Sequence, residues 1–367
     1  MKSDSSDKGY WLALHLVPGL GNILFKNLLD RFGDPEHVFR ADLADLMELE
    51  GMRKDVALKI VEKDFAGDPS KVLERLEKID ARPVTYHDSE YPPNLKEIYD
   101  PPMLLYVKGK RIPANITYVA VVGSRSPTPY GLNAAEKIAQ GLARRGLGVV
   151  SGMARGIDSA AHWGCLNGRG FTLAVLGTGI DIIYPLSNKK LFRKIMESGA
   201  ILSEFPLGTP PEPQNFPIRN RLISGLGRGV VVVEATKKSG SLITASLALE
   251  QGREVFAVPG SINSYKSTGC HFLIKQGATL IETADDVLQE LGLNFPHTSK
   301  TDTFRDPPSP PLEKHEEIVY SLVADYPVHI DQISRESKLE PKEVSSILMR
   351  LELKGIVRQL PGKMFVR

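Results

Sequence analysis

One stretch constrains the fold more than any other: Phe216 to Ala245, FPIRNRLISGLGRGVVVVEATKKSGSLITA. Within it, Gly229 to Ala235 is a nearly unbroken valine run. Such a run has no polar side to turn to water, so it belongs to a strand buried on both faces, as in a parallel sheet. A Lys-Lys-Ser-Gly-Ser turn beginning at Lys237 follows it and feeds a helical pattern. In open α/β sheets that junction, from strand carboxyl end to helix N-terminus, is where backbone N–H groups gather anions. The stretch also opens on Phe216 and on two arginines around an amide, Arg219, Asn220 and Arg221. An aromatic and cations ahead of the strand, with free N–H groups behind it, suit a phosphodiester chain better than a small apolar ligand.

The same alternation recurs from Ile116 onward. TYVAVVGSR, GVVSGMARGID, FTLAVLGTGID, AILSEF and EVFAVPG read as strands with their turns, separated by helical patterns such as GLNAAEKIAQGLARRG and LFRKIMESG. With the valine run these make six apolar strands, which predicts an extended Rossmann-like, doubly wound, mostly parallel sheet over residues 85–294. HFLIKQGATLIET predicts one more helix and strand. Met103 to Val107, set among Pro92, Pro93, Pro101 and Pro102, reads as an edge strand, where proline is tolerated. Residues 1–84 read as short helices joined by glycine turns at Gly19, Gly21 and Gly51, either a small bundle or a helix-hairpin-helix element. Residues 295–311, rich in Pro, Ser, Thr and charge, read as a linker. Residues 312–367 give three helices, a strand, a Pro-Gly turn and a second strand, the winged-helix pattern. Nine bases and nine acids in that segment leave it neutral, which fits protein contact as well as phosphate contact.

Net charge over the 367 residues is +2, so any polyanion site must be a local patch. The two cysteines, Cys165 and Cys270, exclude a disulfide framework and a cysteine zinc site, and point to a reducing compartment. No run of about 18 uncharged apolar residues predicts a membrane span, and the N-terminus is unlike a secretory signal, so a cytoplasmic protein with no membrane partner is expected.

Each strand ends in small or polar residues: Gly123-Ser124-Arg125 after the first, Ser151-Gly152-Met153-Ala154-Arg155 after the second, Gly177-Thr178-Gly179 after the third. Glycines let N–H groups converge, and hydroxyls add donors. Ser124, Arg125, Ser151, Gly152, Arg155, Phe216, Arg219, Arg221 and Lys237 are therefore the candidate contacts along one rim, and arginines spread along an edge suit a polyanion lying across it. A nucleotide cofactor is disfavoured. The first turn has one glycine where a dinucleotide fingerprint needs three, Asp181 would repel a pyrophosphate near Gly179, and the chain has no P-loop. Asp158 reads as an N-cap or a buried partner for an arginine, and Glu204 and Glu234 as anchors for Arg219 or Arg221. His162 and His271 lie in apolar helical stretches and read as packed, hydrogen-bonded side chains. No carboxylate pair, metal cluster or activated nucleophile stands out, so no catalysis and no cofactor is expected.

The motifs VVGSRSPTPYG, SGMARGIDSAAH, AVLGTGIDIIYP, the Phe216–Ala245 stretch and REVFAVPG, in this order, resemble the DprA or Smf family of DNA-processing proteins from about Pro92 to Leu291. The resemblance implies a homodimeric bacterial protein that binds single-stranded DNA, protects it during natural transformation and loads the RecA recombinase. It also implies a helical domain resembling a sterile alpha motif ahead of the Rossmann domain, and a DNA pocket at Ser124, Arg125, Ser151, Gly152, Phe216, Arg219 and Arg221. Two departures thin the cations: Leu186 follows the Tyr-Pro of the third turn and Pro213 precedes the aromatic, where members of the family often carry lysine. The alternative is a nucleotide-processing enzyme related to lysine-decarboxylase-like phosphoribohydrolases. The turn Ser239 to Thr244 lacks the glycine run and glutamate of those enzymes. A third reading makes the winged helix a reader of duplex DNA.

Overall fold

The computed structural model describes residues 4–293, 312–324 and 327–366. Two compact units divide it: the larger comprises residues up to Pro127 and from Ala134 to Leu293, and the smaller includes the C-terminal segment. The expected linker at 295–311 lies outside the described residues.

Apolar residues at helical spacing open the chain with α1 (Asp4–His15), α2 (Asn22–Phe32), α3 (Pro35–Val38), α4 (Leu43–Met47), α5 (Lys54–Glu62) and α6 (Pro69–Lys78). The sheet follows: β1 (Ala81–Thr85), β2 (Leu104–Gly109), β3 (Tyr118–Gly123), α7 (Pro129–Arg144), β4 (Gly148–Ser151), α8 (Ile157–Asn167), β5 (Thr172–Val175), α9 (Lys189–Ser198), β6 (Ala200–Ser203), α10 (Asn215–Leu226), β7 (Gly229–Val233), α11 (Gly240–Glu250), β8 (Glu254–Ala257), α12 (Thr268–Lys275), β9 (Thr279–Leu280) and α13 (Ala284–Glu290).

The nine strands lie in the order β1-β2-β6-β5-β4-β3-β7-β8-β9. From β6 to β9 every pairing is parallel, and the Val-rich β7 is buried at all five residues. The six predicted strands and the predicted final helix and strand are all present. Met103 to Val107 supplies β2, which is not at the edge. Its outer side is covered by β1, antiparallel to it with Pro83 opposite Tyr106. The proline sits on the outermost strand, where its missing N–H leaves no ladder bond unmade.

The chain leaves β3 for β4 on one side and returns to β7 on the other, so the order reverses between β3 and β7. Open α/β sheets bind ligands in the crevice at the carboxyl ends beside such a reversal. One face of the sheet, with Val122, Val150, Val175 and Val232, packs against α10, α11 and α12 through Leu222, Ala245 and Leu273. The other, with Leu104, Tyr106, Ala174 and Ile201, shares one apolar cluster with Trp11, Phe25, Leu28 and Ile60. The N-terminal helices thus pack onto the sheet through a continuous core, and the expected boundary at residue 84 falls inside β1.

In the smaller unit α14 (Lys314–Leu322), β10 (Val328–His329), α15 (Ile330–Ser337), α16 (Pro341–Leu353), β11 (Arg358–Leu360) and β12 (Met364–Val366) form a winged helix. Its three strands run in the order β10-β12-β11, and β10 was not foreseen. Val319, Ile333, Ile347, Leu348 and Phe365 make its core. Beside them Glu316 is buried and bonded to Arg350 Nε at 3.1 Å and Lys354 Nζ at 2.6 Å.

Candidate nucleic-acid interface

The carboxyl ends of β3, β4 and β5 are locked together by groups the sequence placed among the ligand contacts. Ser151 is fully buried and its hydroxyl donates to Val121 O at 2.7 Å, stitching β4 to β3. Gly152 is equally enclosed: a Cβ there would lie 2.7 Å from both Arg219 Nη2 and Asp158 Oδ2. Gly156, at φ 81°, rests on the first turn, where a Cβ would come within 2.3 Å of Ser124 O. Ile157 N also donates to Ser124 O at 3.1 Å. The turns carrying Arg125 and Arg155 are therefore in contact, and both side chains are exposed while Ser124 is half-buried.

Arg219 is the hub of this layer. It is only 3% exposed, and Nη1 donates to Gly152 O at 2.7 Å and to Val175 O. One guanidinium thus ties α10 to the ends of β4 and β5. Asp158 lies beside it and accepts from Gly152 N at 3.1 Å and from Ala154 N at 3.4 Å. Burial pushes the Asp158 carboxyl up, and the Arg219 charge and those two N–H groups oppose the rise. Burial lowers Arg219 to about 10, with Asp158 opposing, so it stays cationic at neutral pH.

Phe216 sits one turn of α10 before Arg219. Its ring lies on Gly177, where a Cβ would be 2.9 Å from Cδ1, so the glycine of the third turn is the seat of the aromatic. The Arg125 guanidinium lies 5.4 Å from the ring centroid and that of Arg219 5.8 Å, both within cation–π range. Tyr184, 42% exposed, stands 5.7 Å away, centroid to centroid. Arg125, Phe216 and Arg219 are therefore gathered at one point on the rim.

Arg221 is not there. A helix turns 100° per residue, so two positions on from Arg219 the side chain emerges 200° around. It pairs with Glu204, donates to Asp100 O at 2.6 Å and lies 3.5 Å from Asp100 Oδ2. Glu204 is the anchor expected for one of the two arginines. Its carboxyl is pushed up to about 7 by burial, against the opposing charge of Arg221. Ser151, Gly152 and Arg219 are therefore the buried frame beneath the exposed contacts, and Arg221 lies away from them against Glu204 and Asp100. His162 and His271 are packed as expected, Nδ1 of His162 lying 2.7 Å from Thr172 Oγ1 and Nε2 of His271 3.0 Å from Gly260 O.

The family described as DNA recombination-mediator protein A matches residues 82–292, and a DprA winged helix domain matches residues 305–363. The chain belongs to the DNA recombination-mediator protein A family. Among relatives of this DprA-type chain, protein Smf of Synechocystis is 37% identical over 99% of both chains. The X-ray structure of DNA processing protein A from Streptococcus pneumoniae aligns with a TM-score of 0.68 and 40% identity, over 77% of this chain and 96% of that one. DNA processing protein A from Helicobacter pylori, whose structure is described for its single-stranded DNA binding mode, aligns at 0.52 and 32% identity over 57% and 95%.

Three further residues stand around the rim that their sequence context did not single out as contacts. Tyr184 read only as the end of a turn, although a Tyr-Pro pair after a glycine turn on a parallel strand was the available signal. Lys266, between β8 and α12, reaches back to donate to Ser126 O, joining the first turn to the far side of the sheet. Lys238 is exposed beside the predicted Lys237. The turn bearing both follows β7, the neighbour of β3, and α10 is tied to its far end by Asn220 Nδ2 donating to Gly240 O at 3.5 Å. No helix among the described residues is long and apolar enough to cross a membrane.

Proposed function

We propose that this rim holds single-stranded DNA. Phe216 offers a face to an unpaired base, and Arg125, Arg155, Lys237 and the half-buried Ser124 take the phosphates on either side. The observation that carries the reading is the position of Phe216, seated on Gly177 with two guanidinium groups within 6 Å of its ring. A base stacked on an aromatic contributes about 1–3 kcal/mol without regard to sequence, and the cations track the backbone. The frame of Arg219, Asp158, Ser151 and Gly152 fixes the turns in advance, so little ordering is left to binding.

The protein acts in the cytoplasm as a homodimer, takes up the strand during DNA uptake in natural transformation, protects it uncut and passes it to RecA. The support is the family relationship together with a rim that offers cations and an aromatic and whose buried acid, Asp158, is engaged with Arg219 and backbone. The domain plan that goes with it keeps residues 85–294 as the DNA-binding part, residues 1–84 as a helical layer and residues 312–367 as a winged module suited to protein contact.

The test is an anisotropy titration of labelled oligo-dT with the wild type and with the Arg125→Ala, Phe216→Ala double variant. A large loss of affinity with an unchanged melting temperature is expected. Equal affinity in a folded variant would refute the reading.

A further inference from the structure

At the opposite end of the sheet from the rim lies a hollow of about 570 Å³, lined by Lys78, Ile79, Asp80, Lys108, Lys110 and Met196 among others. Its origin is legible in the strand pattern. Leu104 and Tyr106 of β2 point into the cluster formed with the N-terminal helices, and Lys108 is next on that face. There β2 outruns the helices that cover it, because α6 ends at Lys78 and α9 at Ser198. Gly109, at φ 98°, lets the strand close against the end of α9, since a Cβ would lie 2.8 Å from Gly199 O. Lys110 N donates to that same carbonyl at 2.9 Å.

The charges of this hollow are not spent on one another. Lys78 stands in the last turn of α6, where the helix dipole favours a cation. Asp80 is the acid of the lining. Among the described residues Lys108 and Lys110 have no ion-pair partner. Just outside, Arg82 donates to Gly109 O at 3.0 Å and Lys110 O at 2.9 Å and pairs with buried Glu90. The end of β2 is thereby held rigid, and the 78%-exposed Arg111 is 3.7 Å from the same acid. Two arginines against one carboxylate leave a further positive surplus beside the hollow.

We infer that this hollow is a second contact for the phosphate backbone of a long single strand already seated on the rim. The inference rests on the proposed function. The hollow is open, it is lined by lysines rather than by forked guanidiniums, and it has no aromatic ring. Lysines act as point charges on phosphate without reading geometry or base, whereas small-molecule sites are enclosed and mostly apolar. From β2 to β3 is four strand spacings and β6 is four residues long, so the two places are roughly 20 Å apart or more. Only a strand well beyond the length that fills the rim reaches both.

The experiment titrates the full chain with oligo-dT of about 6 and about 30 nucleotides, one within and one well beyond a single-fold footprint, at several salt concentrations. The variant carries Lys78→Gln, Lys108→Gln and Lys110→Gln together. The short oligonucleotide should bind the variant as it binds the wild type. For the long one, affinity at low salt should fall about tenfold or more, and the salt slope should shrink by roughly 2, at about 0.7 per lost phosphate contact. Against a folding artefact, a Lys110→Cys protein carrying a photocrosslinker should form an adduct with the long strand and not with the short. An unchanged slope and no adduct, with the short strand still bound, would overturn this inference alone. Failure of the wild type to bind either length would overturn the rim reading and this one with it. Inorganic pyrophosphate that raises the melting temperature of the wild type but not of the variant, with DNA binding unchanged, would make the hollow a small-anion site and refute the proposal.

Discussion

Arg125 and Arg219 both approach Phe216, yet they should fail in opposite ways when replaced. Arg219→Met removes the donor to Gly152 O and Val175 O and leaves Asp158 without its compensating charge in a buried layer. Losing two charge-assisted bonds to buried carbonyls, with a desolvated carboxylate left without its neighbouring cation, costs about 3–5 kcal/mol. For a unit of this size each kcal/mol moves the midpoint about 2–4 °C, so a drop of about 6–20 °C is expected. Arg125→Met alters an exposed side chain, which should shift stability by no more than about 0.5 kcal/mol, while removing a phosphate partner and shrinking the salt slope by about 0.7. Thermal melting by circular dichroism and anisotropy with oligo-dT read the two effects separately. If Arg219→Met melted with the wild type while losing DNA, Arg219 would be a direct ligand and its role as frame would be refuted. If Arg125→Met were as destabilising as Arg219→Met, the assignment of Arg125 to the exposed rim would fail.

Gly177→Val places side-chain atoms where the Phe216 ring now lies, 2.9 Å from the Cβ position. Affinity for oligo-dT should fall by about 5- to 150-fold, the equivalent of one stacked base at about 1–3 kcal/mol; unchanged affinity would mean that the seat of the ring does not matter. In the winged helix, the Lys354 ammonium bonded to Glu316, with the Glu313 N–H and Arg350, holds that carboxyl down at about 2. A carboxylate whose folded value is depressed contributes its stability above the ordinary carboxylate range and loses it as pH falls toward 2. Melting of the isolated 312–367 segment should therefore drop between about pH 4.5 and pH 2, and Glu316→Gln should be less stable at neutral pH with most of that dependence gone. A pH profile identical in the two proteins would contradict the assignment.

The parallel sheet was legible because a strand buried on both faces must be apolar throughout, and the β7 valines, with β3, β4 and β5, are little else. β1 was not. Ala81-Arg82-Pro83-Val84-Thr85 has an arginine and a proline in five residues, and only pairing with β2 makes it a strand. The union of the N-terminal helices with the sheet was hidden for a related reason, since Leu104 and Tyr106 carry no mark that says which helices they meet. Within the candidate site, turn chemistry located the rim and Phe216 named its aromatic. The separate fates of Arg219 and Arg221 depend on the phase of α10 against the sheet. In a helix with a buried arginine on one side and a half-buried, paired arginine on another, polarity does not report that phase. Lys266 comes to the rim through tertiary packing, so nothing in its own neighbourhood singled it out, whereas Tyr184 had a local signal in the Tyr-Pro pair that follows the third turn.

The account rests on unpaired polynucleotide being the ligand of the rim. Titrating the purified protein with an oligonucleotide as a single strand and as its duplex, at low and at moderate salt, tests that most directly. Tighter binding of the single strand, weakening as salt rises while the preference persists, is the predicted result. Equal or tighter binding of the duplex, or single-strand affinity indifferent to salt, would contradict it.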